Sequence, residues 1–125
     1  MERTLTITIN RDWRAFLASA SKRAIAGAQS GTYQGERLNF ESAAAFFGQL
    51  TELRWNMVRE MIGAGHVGVR ELARRLGRDV RRVHQDAHAL VDLGILEQDA
   101  DGGLICPFAD IHIDMHLTGD MRKAA

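Results

Sequence analysis

Residues 69–86 read VRELARRLGRDVRRVHQD, and one third of them are arginines. These are Arg70, Arg74, Arg75, Arg78, Arg81 and Arg82. The chain of 125 residues nevertheless has 16 basic and 16 acidic residues and a formal net charge of zero. The acidic excess lies downstream, because residues 86–114 contain seven acidic residues and no Lys or Arg. A neutral chain therefore includes one basic segment that favours an anionic partner.

The hydrophobic residues of this segment predict two short helices. The first set has the i, i+3, i+4, i+7 spacing of an amphipathic helix: Val69, Leu72, Ala73 and Leu76. Gly77 is suited to end that helix, and Asp79 is suited to cap the next one. The second set shares one face of the following helix: Val80, Val83, Ala87, Leu90 and Val91. Two helices joined by a tight glycine turn are a candidate helix-turn-helix.

The outward side of the second helix follows from about 100° of rotation per residue. It is predicted to present Arg78, Arg81, Arg82, Gln85 and Ala89. A recognition helix inserts its first turns into the DNA major groove, where arginine pairs with guanine and glutamine with adenine. Other arginines neutralise phosphates. The predicted DNA-binding residues are Arg70, Arg74, Arg78, Arg81, Arg82 and Gln85.

A hairpin is predicted directly after the second helix. Gly94 ends the helix, Ile95 and Leu96 begin a strand, residues 101–103 form a turn, and Leu104 begins the return strand. The stretch VRELARRLGRDVRRVHQDAHALVDLGILEQDADGGL resembles the core of winged-helix regulators of the MarR and ArsR types. This resemblance covers about residues 51–107 and implies that the second helix contacts double-stranded DNA. The hairpin tip departs from the family pattern, since it carries Asp99 and Asp101 and no basic residue.

A narrower resemblance extends over most of the chain. The ending PFADIHIDMHL and the N-terminal strand and helix resemble small predicted regulators encoded beside a toxin. That resemblance implies an autorepressing antitoxin that acts as a homodimer. It also implies a cognate toxin protein bound by the N-terminal extension or by the C-terminal strand.

The remaining sequence predicts an α+β fold in two parts. Leu5, Ile7 and Ile9 alternate with threonines as in a strand, and a helix is predicted from about residue 12 to Ala26. A glycine-containing stretch, residues 27–35, suggests a linker. A short strand at residues 38–40 and helices capped by Ser42 and Thr51 come next. We therefore predict an N-terminal strand-helix extension, residues 1–37, and a winged-helix domain with a C-terminal strand, residues 38–125.

Several residue types allow other functions. His84 and His88 lie one helical turn apart, where we expect packing, and the alternating His112, Asp114 and His116 are expected to contact a partner. The alternatives are a metal- or ligand-responsive repressor and a winged-helix interaction module that does not bind DNA. No cofactor, metal or catalytic residue is predicted, since no phosphate-binding loop or nucleophile-base set is present.

Composition constrains the location of the chain. The one cysteine, Cys106, is predicted to be buried, and Trp13 and Trp55 are assigned to cores rather than to nucleotide stacking. A single cysteine excludes an intrachain disulfide and fits a reducing compartment. No apolar run approaches the roughly 20 residues that span a membrane. We expect a cytoplasmic protein that does not bind membranes.

Overall fold

The computed structural model describes residues 2–10, 33 and 35–116, and within them the chain has a mixed α+β architecture. The strands are β1 (Arg3–Ile9), β2 (Glu36–Phe40), β3 (Glu97–Gln98), β4 (Leu104–Ile105) and β5 (Phe108–Asp114). The helices are α1 (Ala43–Gln49), α2 (Glu52–Met61), α3 (Val69–Leu76) and α4 (Val80–Leu93). The helix predicted up to Ala26, Trp13 and most of the glycine-containing stretch lie outside the described residues. None of the helices described is long and apolar enough to cross a membrane.

A three-stranded parallel sheet has the order β2-β1-β5. The alternation predicted for β1 is confirmed, because Leu5 and Ile7 are 4% and 0% exposed. Residues paired side by side project from the same face, so Ile111 and Ile113 of β5 continue the apolar face of β1. The predicted boundary after residue 37 falls inside β2. The first strand of the predicted extension thus lies between two strands assigned to the other part.

Local capping chemistry sets the helix ends. The Ser42 hydroxyl accepts a hydrogen bond from the Ala45 N–H at 3.0 Å, and the Thr51 hydroxyl caps α2 in the same way. Asp79 caps α4 by accepting from the Arg82 N–H at 3.2 Å. Gly77 ends α3 with φ of 64°, a left-handed conformation that costs glycine little. The predicted caps at Ser42, Thr51 and Asp79, the helices that follow them and the Gly77 turn are confirmed.

The β3-β4 hairpin follows α4 and is antiparallel. Val67, which precedes α3, exchanges two backbone hydrogen bonds of 2.8 Å with Leu104 and so lies alongside β4. The predicted turn is present, with Gly102 at φ of 85°. The first strand begins later than predicted: Ile95 and Leu96 are buried, but pairing starts at Glu97. The buried residues Ile95 and Leu96 thus connect the end of α4 to the first strand of the hairpin.

One hydrophobic core joins the helices, the hairpin and the apolar face of the sheet. Cys106 is buried as predicted, which raises the pKa of its thiol, and Trp55 packs against the core. The predicted place of Val80 on the apolar face of α4 is wrong, because Val80 is 43% exposed. The buried stripe of α4 consists of Val83, Ala87 and Leu90. This stripe fixes which side of α4 faces solvent.

Candidate nucleic-acid interface

The first turns of α4 present an exposed basic surface. Burial of Val83, Ala87 and Leu90 turns Arg81 and Gln85 to within about 30° of the opposite side, while Arg82 lies about a quarter turn away. The side chains of Arg81, Arg82 and Gln85 are exposed, and none has a hydrogen bond or ion pair to another described residue. We call these three residues the α4 basic face. Their donors are available to an external acceptor.

Helix α3 adds a second group of exposed arginines. Arg70 is exposed and has no ion pair within the described part of the chain. Arg74, 72% exposed, pairs with Glu71, which also accepts from Arg75 at 3.1 Å. The hydrogen bond from Arg74, together with a smaller effect of the one from Arg75, lowers the pKa of Glu71 to about 2. Exposed ion pairs of this kind contribute little to stability. Arg74 can therefore release Glu71 and bind a phosphate instead.

Arg78 does not join this surface, so its predicted outward position is wrong. Its side chain is only 16% exposed, and its Nη2 lies 2.7 Å from Oδ2 of Asp86. Arg54 of α2 donates from Nε to the other Asp86 oxygen at 3.0 Å. Arg78 departs from the helical wheel because it precedes the extended cap residue Asp79 and is not part of α4. It is a structural residue of the turn.

The triad of Arg54, Arg78 and Asp86 joins α2, the α3-α4 turn and α4. Burial raises the pKa of Asp86, but hydrogen bonds from Arg78 and Arg54 outweigh it and hold that pKa below its usual value. Arg54 also donates from Nη1 to the Gln49 carbonyl oxygen at 2.9 Å, which extends the contact to the end of α1. The triad thereby positions α4 against the rest of the core. Sequence reasoning missed it because Arg54 and Asp86 are 32 residues apart.

The acidic hairpin tip has an internal role. The Asp99 carboxylate accepts hydrogen bonds from the N–H groups of Gly103 at 2.8 Å and Asp101 at 2.9 Å. His66 lies 3.0 Å from its other oxygen. The hydrogen bond from the Gly103 N–H, with smaller effects from Asp101 and His66, lowers the pKa of Asp99 and keeps the carboxylate ionised. The charge of Asp99 organises the turn, and the tip offers no cation to a phosphate.

The described histidines do not belong to a cluster of metal-ligating side chains. No group of three or more His, Cys, Asp or Glu side chains among the described residues has suitable geometry. His84 and His88 are exposed, and their ring centroids lie 4.4 Å apart, so the two rings pack against each other. Near the C-terminus, His116 Nε2 lies 2.8 Å from Asp114 Oδ1, and His112 is exposed.

An open groove of about 490 Å³ lies between β2, α1 and the C-terminal half of α4. Its lining includes Leu38, Phe40, Gln49, Ala89 and Asp92. The exposed arginines of α3 and α4 do not line it. The groove and the basic surface are thus separate features.

Comparison with known proteins gave one family match. Residues 49–113, just over half of the chain, match the model of the HVO_A0114 family. The matched span includes α2 to α4, the hairpin and most of β5. No curated protein and no solved structure matched the chain.

Proposed function

This chain belongs to the HVO_A0114 family, and we propose that it is a sequence-specific DNA-binding transcriptional regulator with a winged-helix core. The order of elements supports the proposal. Helix α2 is followed by the Val67 bridge, then by α3, the Gly77 turn, α4 and the β3-β4 hairpin. Winged-helix domains have this succession, with the second helix of the turn motif placed in the major groove.

The observation that carries the proposal is the exposed α4 basic face at the start of the candidate recognition helix. Arg81 and Gln85 point away from the core, and neither is engaged within the described chain. Arginine and glutamine there can each make a bidentate contact with a base edge. The flanking Arg82, Arg70 and Arg74 supply cations for phosphates, which set the position of α4 on the duplex. Arg78 supports α4 from inside and is left out of the proposed contacts.

The proposed assembly is a homodimer on double-stranded DNA. A dimer places two recognition helices about 34 Å apart, one helical turn of DNA, over a palindromic site. Autorepression is the biology we propose for such a regulator. Because the hairpin tip is acidic, the electrostatic attraction to the DNA phosphates comes mainly from the arginines of α3 and α4.

The antitoxin role rests only on the resemblance described for the sequence. It requires a toxin encoded beside the gene. Coexpression with the product of the adjacent reading frame tests it, since an antitoxin relieves growth inhibition by that product. Growth inhibition that persists would reject the antitoxin role and leave DNA binding to be judged separately.

Binding to a duplex from the gene's own upstream region tests the DNA-binding proposal. Fluorescence anisotropy across a range of salt concentrations gives both the affinity and its salt slope. If Arg81 and Arg82 contact phosphates or bases, changing both to alanine weakens binding at least about tenfold and lowers the slope by up to about two. Arg37→Ala on β2 is the matched control, because Arg37 is exposed and lies on the sheet.

Each outcome separates the candidate functions. No binding by the wild-type protein even at low salt would reject DNA binding and favour an interaction module. Equal loss in the Arg37 variant and the double variant would reject the α4 basic face as the specific site. Release from DNA on adding zinc would favour the metal-responsive alternative.

A further inference from the structure

Strand β5 forms one edge of the three-stranded sheet in the described part of the chain. From the middle of β5 to two residues beyond its end at Asp114, the sequence reads DIHIDMH, residues 110–116. Polar and apolar residues alternate, and the polar positions alternate between aspartate and histidine. Asp110, His112, Asp114 and His116 are exposed, and Met115 is 36% exposed. An exposed edge strand of this kind presents backbone groups for pairing with another strand.

When this segment is paired with a reversed copy of itself, each aspartate can face a histidine. If two copies run antiparallel with Ile113 opposite Ile113, His112 faces Asp114 of the second copy. In the same register, Asp110 faces His116 and Ile111 faces Met115. The two-fold axis repeats each pair, so all four polar pairs join an aspartate to a histidine. Opposite residues of antiparallel strands project from the same face, where opposite charges attract.

We propose that a second copy of this chain pairs with the outer edge of β5, antiparallel and centred on Ile113, to form the dimer interface. The proposal deepens the homodimer of the proposed function and does not require DNA binding. It yields a six-stranded sheet across the two copies. The order of that sheet is β2-β1-β5 followed by β5-β1-β2 of the second copy.

Other registers lose this complementarity. A shift by one residue places apolar side chains opposite polar ones and brings the two faces of the sheet out of alignment. Centring on His112 places Asp110 opposite Asp114, which repel. Centring on Ile111 retains only the pairs between His112 and Asp110. The Ile113 register alone pairs all four polar residues of the segment across the interface. The contact between His116 and Asp114 within one chain is exposed, so it contributes little and can be exchanged for these pairs.

The rest of the sheet supports the same arrangement. Ile111 and Ile113 are in register with Leu5 and Ile7 of β1, so pairing about Ile113 extends one apolar face across both copies. On the polar face, His112 is in register with Thr6, and Thr6 with Arg37 of β2. Thr6 carries no charge and Arg37 lies two strands away, so the polar residues at the new edge are those of the segment 110–116. The half-exposed Met115 gains an apolar neighbour.

Charge reversal in matched variants tests the interface without DNA. His112→Asp places two carboxylates opposite each other in a homodimer, and Asp114→Lys places an ammonium opposite each His112. Sedimentation velocity near pH 6 measures the dimer dissociation constant of the wild-type chain and of each variant. Each variant alone should dimerise at least about tenfold more weakly than the wild-type chain. Circular dichroism checks that each variant is folded.

Mixing the two variants is the decisive step. In a mixed dimer, the introduced carboxylate at position 112 faces the introduced ammonium at position 114, and the native Asp114 faces the native His112. In a 1:1 mixture, the dimer dissociation constant should therefore return to within about threefold of the wild-type value. This margin reflects the modest energy of a single cross-strand pair. A monomeric wild-type chain, unaffected dimerisation in either variant, or no recovery in the mixture would each overturn the proposal.

Discussion

The stability of the protein should depend strongly on Asp86. Its carboxylate receives charged hydrogen bonds from Arg78 at 2.7 Å and Arg54 at 3.0 Å, and the three side chains are only 16–23% exposed. A hydrogen bond to a charged group contributes about 1.5–3 kcal/mol, so removal of both costs about 3–6 kcal/mol. Partial exposure lets water solvate the released guanidinium groups. We therefore expect Asp86→Ala to lower the free energy of unfolding by about 3 kcal/mol.

Urea denaturation followed by far-ultraviolet circular dichroism measures this loss, since unfolding removes the helical signal of α1–α4. The matched control is Asp92→Ala, an exposed aspartate on the same helix with no described ion pair, which should change stability by less than about 0.5 kcal/mol. The midpoint should fall in the Asp86 variant while the urea dependence stays the same. Equal stability of the two variants would refute the structural role of the triad.

Two further predictions concern the same region. Because the pKa of Asp86 is lowered in the folded state, its contribution is present above the usual pKa of about 4 and is lost as pH falls through the folded value. The stability difference between wild type and Asp86→Ala should therefore shrink below about pH 4 in urea titrations at each pH. Gly77→Ala should destabilise the fold by about 1 kcal/mol because φ is 64° there, whereas Gly68→Ala, at a negative φ, should cost less.

The sequence predicted most accurately the elements whose ends depend on local chemistry. The bounds of α3 and α4 follow from Gly77 and Asp79, each of which acts on backbone groups within a few residues. The hairpin turn likewise needs only Gly102 and its neighbours. The exposed position of Arg81 and Gln85 followed from the apolar periodicity of α4. Short-range patterns are therefore sufficient for the main features of the candidate site.

Long-range pairing accounts for what the sequence did not predict. Nothing in the alternation of β1 specifies β5 as its neighbour, because Arg3 and Phe108 are far apart in the chain. The burial of Arg78 depends on Arg54 of another helix, and the exposure of Val80 depends on whether any element covers the first turn of α4. These features depend on tertiary contacts, and local sequence patterns do not contain that information.

Comparing an operator duplex with an unrelated duplex tests most directly the proposal that α4 reads DNA. Arg81→Ala and Gln85→Ala should each lose about 1–3 kcal/mol of binding free energy on the operator, because each change removes a proposed bidentate base contact. Affinity for the unrelated duplex should fall less, so the specificity ratio drops. Unchanged affinity and specificity in both variants would contradict the assignment of α4 as the element that reads DNA.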